Sequence, residues 1–438
     1  MILGILLFVL SIFFVGYAIL LLLSEKTPDL FSAVGLSWGL GISAVTLQMG
    51  LYGFLGLPWT ELSLLGPWIV FCSGVLIYVR KKIPRVPKLP ISQKPLMVFI
   101  LLIFLAFLIV IVESQLHPVI AWDAIASWFL GGKAFYVDSG MNPSFIRFAN
   151  NSTPPAVNLL IAYAYILMGE VNDTYVLIMY PIFYFCMLCI FYSLIRPFST
   201  KFIAVFFVFL LATIPNIMRH AGRYDVGNAD LPLAYFFLCS GLLFLSFLRT
   251  RSVRTLLLLN IFLGTGALIK SEGIPFLFIV QSLCFFHIIQ WKEYSKALVL
   301  SIGLSLVLGW QVFKTACGLP GNPFIEGKPI LSRLPVIAFE AVREFLHIGR
   351  WNLLWVTFFI SVFFMIRKSP VRLIALICVL QILVYVSVYT TTFRDPSSHM
   401  RNSFDRLLLH IAPLTMYCIA LSSTKTLQHV TSKFTKNK

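Results

Sequence analysis

The chain is 438 residues long, with 59% apolar and 12% charged residues, a balance that excludes a string of soluble domains and defines a polytopic membrane protein. Its net charge of +17 does not point to nucleic acid, because the basic residues fall in clusters between apolar blocks, the pattern of membrane orientation and not of a binding stripe. The eight cysteines give no disulfide framework, since most of them, from Cys72 to Cys418, lie inside apolar runs where they pack as small hydrophobes.

In chain order, the first 23 residues are nearly unbroken Ile, Leu, Phe and Val with no basic leader and no small-residue cleavage site, and read as a retained helix. A span needs about 20 apolar residues. The blocks that come close are thirteen: 1–23, 30–56, 62–79, 95–115, 174–195, 202–218, 230–248, 254–269, 273–291, 296–315, 350–367, 370–391 and 405–423. A shorter block, 154–169, opens on Pro154 and Pro155 and closes on Gly169 and Glu170. Cys186 and Cys189 form a CxxC inside an apolar block with no second pair, and the seven histidines show no HxxxH or HExxH spacing, so the sequence supports no metal site from local ligands.

Charge decides how 154–169 is read. If it does not span, one set of loops collects Arg80, Lys81, Lys82, Arg85, Lys88 and Lys94, then Arg196 and Lys201, Arg249, Arg251 and Arg254, Lys292 and Lys296, and Arg367, Lys368 and Arg372, together with the tail lysines. These are the cytoplasmic loops. The other set collects nearly every acid, including Asp123, Asp138, Glu170, Asp173, Asp225, Asp230, Glu272, Glu326, Glu340, Glu344, Asp395 and Asp405. Were 154–169 to span, the later basic hinges would face outward, so the block is expected to be a re-entrant or interfacial helix covered by protein. The expected fold is all-α, a multi-pass bundle of about 13 transmembrane helices with interfacial helices in a first outer loop. It divides into three N-terminal spans and a basic linker (1–94), a central module carrying the outer loop 116–173 (95–291), and a C-terminal group of spans with an outer loop 316–349 (292–438). Within that last loop, Ile337, Ala341, Phe345 and Ile348 alternate with Glu340, Arg343 and Glu344 at the spacing of a helix lying in the interface.

Four polar clusters fall in the outward set. In the first, Asp123 follows Trp122 and opens a run in which Trp122, Ile125, Phe129 and Tyr136 are expected to share a face against headgroups, with Lys133 nearby. Asp123 could satisfy helix N-terminal amides, act as a general base, or hold a divalent ion with a second carboxylate. The second cluster is Arg219, His220, Arg223, Tyr224, Asp225, Asn228 and Asp230 ahead of Pro232, where Asp230 either caps a helix or orders a site beside Asp123, and Arg219 or Arg223 would meet an anionic substrate. The third is the hinge Lys270, Ser271, Glu272, Gly273, either a self-paired turn or, at the edge of the hydrocarbon, a phosphate ligand in Lys270. In the fourth, Arg406 and His410 stand one helical turn apart on one face, by snorkelling or by function.

The order and local wording of these clusters resemble the GT-C glycosyltransferases, in the branch of protein O-mannosyltransferases and lipid A aminoarabinose transferases. The likeness rests on Trp122 and Asp123 in a first outer loop followed by Trp128 and Lys133, a proline-led helix from Thr153 to Gly169, Asp230-Leu-Pro232 at the start of a later span, the Leu268-Ile-Lys270 hinge, and Arg406 ahead of Pro413. It covers residues 95–291 well and the rest loosely, and this chain differs in carrying three spans before the Asp123 loop. The resemblance implies a polyprenyl-phosphate-linked sugar as donor, transferred with inversion at the extracytoplasmic face of a plasma or inner membrane to an acceptor that could be a glycan, a lipid or a protein. By the same resemblance Asp123 is the catalytic carboxylate, Asp230 a supporting acid, and Lys270 with Arg406 the holders of the donor phosphate. The polar clusters themselves add Glu272, Arg219, Arg223, Asp225, His410 and Lys133 as further substrate-binding candidates.

No P-loop and no GxGxxG opening a Rossmann unit occurs, in keeping with a donor that is not a nucleotide. Two other classes compete. One is a flippase or carrier of a lipid-linked or anionic solute, with the intramembrane charges lining a path, although no inverted repeat is seen. The other is a polysaccharide ligase or polymerase built on the loop 316–349, with Lys328, Arg333, Arg343 and His347. The glycosyltransferase reading requires one geometric fact: Asp123, Asp230 and the Lys270 hinge must meet.

Overall fold

A computed structural model describes residues 1–25, 28–78, 94–148, 153–319, 329–365 and 371–436. The basic cluster Arg80 to Lys88, Glu326, Lys328, Arg367 and Lys368 lies outside these residues. Every regular element among the described residues is a helix. Ten are long and apolar enough to cross a membrane, as the runs of Leu, Ile, Phe and Val require, since only a helix satisfies the backbone internally in hydrocarbon. The remaining three of the thirteen expected blocks take other forms. Residues 202–218 are broken into Lys201–Ala212 and Pro215–Gly222, bent by 66°, because Pro215 lacks the amide that would continue the helix. Residues 254–269 form Val253–Ile269, 17 residues and so one shorter than the shortest of the ten, Glu61–Tyr78 with 18. The block 350–367 opens with a single turn, Ile348–Trp351, that stops where Asn352 adopts a φ of 53° before Leu354–Met365 begins.

The block 154–169 appears as Ala156–Met168, 13 residues and so about 20 Å long, too short to cross. All of its residues are buried. It packs against the first helix so closely that a Cβ at Gly4 would stand 2.2 Å from the Leu167 carbonyl oxygen, and the Ser11 hydroxyl meets that of Tyr163 at 2.9 Å. Protein therefore covers the helix on every side.

Ahead of it lies a π-helix, Ala124–Phe129, that runs into Leu130–Asp138. The wider turn overturns the expected single lipid-facing stripe. Trp122 and Ile125 are exposed, whereas Phe129 is buried and Tyr136 turns inward to meet Tyr165 edge-on at 5.8 Å. A π-turn leaves carbonyls without their usual helical partners. Buried Asn158 adds a donor here, its Nδ2 donating to Ser127 O at 2.9 Å, which also accepts from the Leu130 amide, and to Trp128 O at 2.8 Å.

The helix Leu334–Phe345 also departs from the expected amphipathic arrangement. Ile337 and Ala341 are buried, but so is Glu340, while Phe339 and Val342 face outward. The acids turn in because arginines await them: Arg401 and Arg343 both bind Glu340, and Arg350 binds Glu344 at 2.9 Å.

Two ends of the bundle have opposite character. At one, Arg251 lies 4.6 Å above the Trp291 ring and the Lys296 ammonium donates to the Arg251 carbonyl, tying two basic hinges together. The helices that leave this end finish, about 30 Å away, at Asp230, Lys270 and Gly273.

Replacing Asn158 by Leu removes both bonds to the π-helix, leaving the Ser127 carbonyl with the Leu130 amide alone and depriving the Trp128 carbonyl of this donor. The expected loss is about 1–3 kcal/mol of stability, read as a lower midpoint of thermal unfolding in detergent, with Asn158→Asp less well tolerated than Asn158→Gln.

Candidate active site

Asp230 opens the helix Asp230–Thr250 yet makes no capping bond. Its side chain has no exposed surface and is spent on three partners from two other parts of the chain. Oδ1 accepts from Lys270 Nζ at 2.7 Å and from His410 Nε2 at 2.9 Å, and Oδ2 accepts from Arg406 Nε at 2.9 Å. Lys270 arrives because Val253–Ile269 packs antiparallel to Asp230–Thr250 and ends beside its start. The turn that follows is tight: a Cβ at Gly273 would stand 2.4 Å from the Gly266 carbonyl oxygen. Glu272, in that turn, reaches Lys270 at 3.1 Å, so the hinge is self-paired and site-forming at once. Arg406 and His410 come from the long helix that begins at Pro396. Their one-turn spacing lets both reach the same carboxylate, and the Tyr385 hydroxyl meets His410 Nδ1 at 3.0 Å from behind.

Asp123 joins through Arg406, whose Nη1 lies 2.5 Å from its Oδ2. The π-helix that carries Asp123 is held by the loop after Gly222, where Gly227 at a φ of 100° lies so near that a Cβ there would come within 2.8 Å of the Ala124 Cβ. The Asp123 carboxylate does not cap its own helix and is 44% exposed. Arg406 therefore spans a fully buried acid and an accessible one, and three of the four polar clusters meet directly at its guanidinium.

Above it opens a cavity of about 280 Å³ whose walls include Asp123, Arg406, Arg219, Asp225, Arg350 and Asp405. Arg219 binds Asp225 and lies 3.9 Å from Asp405, which also faces Arg350 at 3.5 Å. Arg401 reaches the cavity while bound to Glu340 at 2.7 Å. Lys270 and Asp230 sit one layer below, so of the two cations expected at a phosphate only Arg406 lines the opening.

Two candidates stand elsewhere. Lys133 pairs with Asp173 at 2.7 Å, and Asp173 also accepts from the Tyr165 hydroxyl at 2.6 Å, so this cation fastens the helix Leu130–Asp138 to the next part of the chain. Arg223 pairs with Glu113 at the end of the helix Lys94–Leu116. Asp405, Arg350, Glu340 and Tyr385 were not among the expected site residues. Asp405 could have been read from its place beside Arg406, but Tyr385 is one hydroxyl in an apolar span and carries no local signal. Among the described residues no three His, Cys, Asp or Glu side chains gather as a metal centre would need, and the carboxylate of Asp123 faces a guanidinium.

Counting Asp123, Asp230 and Glu272 against Lys270 and Arg406 leaves one net negative charge when His410 is neutral. In the hinge outside the spans, burial works against both ionised groups, yet each wins its charge from the other. Burial lowers and the Asp230 and Glu272 carboxylates raise the Lys270 pKa, with a net rise, and burial raises while Lys270 lowers that of Glu272, with a net fall.

Among the described residues the chain is an all-helical bundle with a charged site buried at one end, half-opened to a polar cavity. Residues 152–312 match the family of dolichyl-phosphate-mannose-protein mannosyltransferases, a GT-C superfamily family, and the matched stretch contains Asp230, Lys270 and Glu272. The match supports a glycosyltransferase of the GT-C type in an integral, multi-pass membrane protein, with a lipid-linked sugar donor implied by the family. No curated protein and no solved structure matches the chain.

Removing the shared acid tests this arrangement. Asp230→Ala leaves Lys270 and Arg406 short of a buried partner and is expected to cost about 3–5 kcal/mol, seen as loss of the folded peak in size-exclusion chromatography or a collapsed unfolding midpoint. Asp230→Asn keeps one accepting oxygen at the same volume and should cost less than the alanine, although its NH2 meets a donor where the carboxylate accepted. The hinge pair sets a pH window. Glu272, with its pKa depressed, stabilises the fold above its ordinary range and loses that contribution on acidification; Lys270, with its pKa raised, stabilises below its ordinary range and loses that contribution only on strong alkalinisation. Unfolding midpoints should thus be flat across about pH 6–9, and Glu272→Gln should lessen the fall on the acid side.

Proposed function

We propose that the protein moves a sugar from a polyprenyl-phosphate donor to an acceptor hydroxyl or amine at the extracytoplasmic face, with Asp123 as general base. The observation that carries this reading is that Arg406 is held from behind by buried Asp230 and from the cavity side by accessible Asp123. The lipid phosphate, a single negative charge, takes the cavity side of Arg406 and displaces Asp123 from it. Asp123, released, accepts the proton of the attacking acceptor. The acceptor oxygen or nitrogen then bonds to the anomeric carbon while the bond from that carbon to the phosphate oxygen breaks, and the lipid phosphate leaves with the electron pair. Attack from the face opposite the leaving group inverts the anomeric centre. Arg406 meets the charge that grows on the phosphate, and Asp230, as a positioning acid, fixes Arg406 and Lys270 in a preset orientation, the arrangement that makes fixed charges effective in a site of low polarity.

The sidedness follows from the positive-inside rule. Arg249, Arg251, Arg254, Lys292 and Lys296 lie at the ends of the helices remote from Asp230 and Lys270, which supports a cytoplasmic basic end and an outer site. The glycosyltransferase reading is preferred to the ligase alternative because Arg343 is bound to Glu340 and neither it nor His347 lines the cavity.

Asp123→Asn is expected to lower the transfer rate by about 10²–10⁴-fold while binding the sugar-free lipid phosphate more tightly, since the competitor for Arg406 has lost its charge. Arg406→Lys should weaken that binding and slow transfer. Both are read with radiolabelled polyprenyl-phosphate sugars on purified protein. Vesicles in which the wild type moves the donor across the bilayer without forming a glycoside would instead identify a carrier.

A further inference from the structure

The helix Leu334–Phe345 carries its polarity the wrong way round for a helix in water. Val336, Phe339 and Val342 face outward, between 43% and 65% exposed, and the row continues through exposed Leu346 beyond the helix end. Both acids, Glu340 and Glu344, turn toward the protein, and of the residues that the helix turns outward Arg343 alone is charged. A row of large apolar side chains this exposed marks a surface made for an apolar neighbour.

The place of the helix in the bundle says which neighbour. Glu340 is bound by Ser397 and Arg401, in the first turns of the helix that begins at Pro396, and the same helix brings Arg406 to Asp230 slightly further on. Leu334–Phe345 therefore lies at the end of the bundle that holds Asp230. With 12 residues it is about 18 Å long and cannot cross a bilayer. Its last residue, Phe345, meets Phe359 edge-on at 5.0 Å, on the apolar helix Leu354–Met365, where Ile360 is 53% exposed. The outward row thus adjoins the apolar surface of the neighbouring helices, and the neighbour of such a surface in a membrane protein is hydrocarbon.

Charge narrows the reading further. The Arg343 side chain is 49% exposed and holds Glu340 Oε2 at 2.9 Å, while Oε1 accepts from Arg401 at 2.7 Å and from Ser397 at 2.6 Å. Glu340 keeps a guanidinium and a hydroxyl when Arg343 turns to another anion, so Arg343 is the member of this group that can be shared. A guanidinium beside an apolar row at the level of the helix ends is the arrangement that seats a helix among anionic headgroups.

We propose that Leu334–Phe345 is embedded in the leaflet at the Asp230 end of the bundle, with Val336, Phe339, Val342 and Leu346 among the upper acyl chains and Arg343 on the phosphate of an anionic phospholipid. The inference stands independently of the glycosyl-transfer reading.

The test uses the full-length protein in lipid nanodiscs, with the two partly exposed cysteines replaced (Cys72→Ser, Cys317→Ser) and a bimane label attached at Phe339→Cys, an outward position whose change leaves the fold intact. Phosphatidylcholine brominated high on its acyl chains should quench the label, and aqueous iodide should not. At an equal, low mole fraction, brominated phosphatidylglycerol should quench at least about twofold more than brominated phosphatidylcholine, because one cation at the surface favours an anionic lipid several-fold. Arg343→Gln should abolish that excess, as should high salt, while quenching by brominated phosphatidylcholine stays at its parent level. Quenching by iodide and not by bromolipid would put the face in water and overturn the proposal. Quenching by neither would put it against a protein, a second copy of this chain included, and would overturn it as well. Equal quenching by the two bromolipids, or an excess that survives Arg343→Gln, would overturn the assignment of Arg343 to a phospholipid phosphate.

Discussion

One carboxylate organises this protein. Asp230 is removed from water and answered by an ammonium, a guanidinium and an imidazole that reach it from two other parts of the chain. A buried charge is tolerated only when its partners are fixed and its lone pairs are used, so the start of one span, the hinge between two others and the long C-terminal helix are locked in a common position. The stability of that lock comes from completeness. Lys270 is shared with Glu272, His410 is held by Tyr385, and Arg406 has one face turned outward to Asp123.

That last link joins the buried knot to the polar cavity. The guanidinium is planar and presents its donors in a fixed fork, so anchoring one edge on Asp230 sets the direction in which the other edge points. It points into a polar cavity, toward the one carboxylate of the group with substantial solvent access. The inner layer is rigid because it is dry and saturated, and the outer layer can exchange partners because it is wet. A transfer from a lipid phosphate needs both properties, a preset cation for the leaving group and a base that is free once the phosphate has arrived.

The segment between Leu116 and Asp173 brings Asp123 to the cavity by an irregular route. The π-helix rotates Phe129 and Tyr136 into the protein while keeping Trp122 and Asp123 at the cavity, and it is paid for by Asn158 from a helix that is itself buried on all sides. Gly227 lets the loop before Asp230 press against the same turn. The position of Asp123 is thus set by two contacts, one from a helix that does not span and one from a loop next to the buried acid.

Much of this was legible in the sequence because hydropathy and charge are local properties. The apolar blocks, the helical class, the failure of 154–169 to span, and the candidacy of Asp123, Asp230, Lys270, Arg406 and His410 all follow from residue types and spacing along the chain. The sequence also carried the break at Pro215, which a reading by hydropathy alone runs through. What the tertiary structure decided were pairings across long separations, because opposite charges on different helices are interchangeable until packing brings particular ones together. Only that packing sends Lys133 to Asp173 and Arg223 to Glu113, away from the site, and brings Asp405, Arg350 and Tyr385 to it. It also turns the acids of Leu334–Phe345 inward, since a helix's polar face seeks whichever environment neutralises it, and here the arginines of two other helices lie on the protein side.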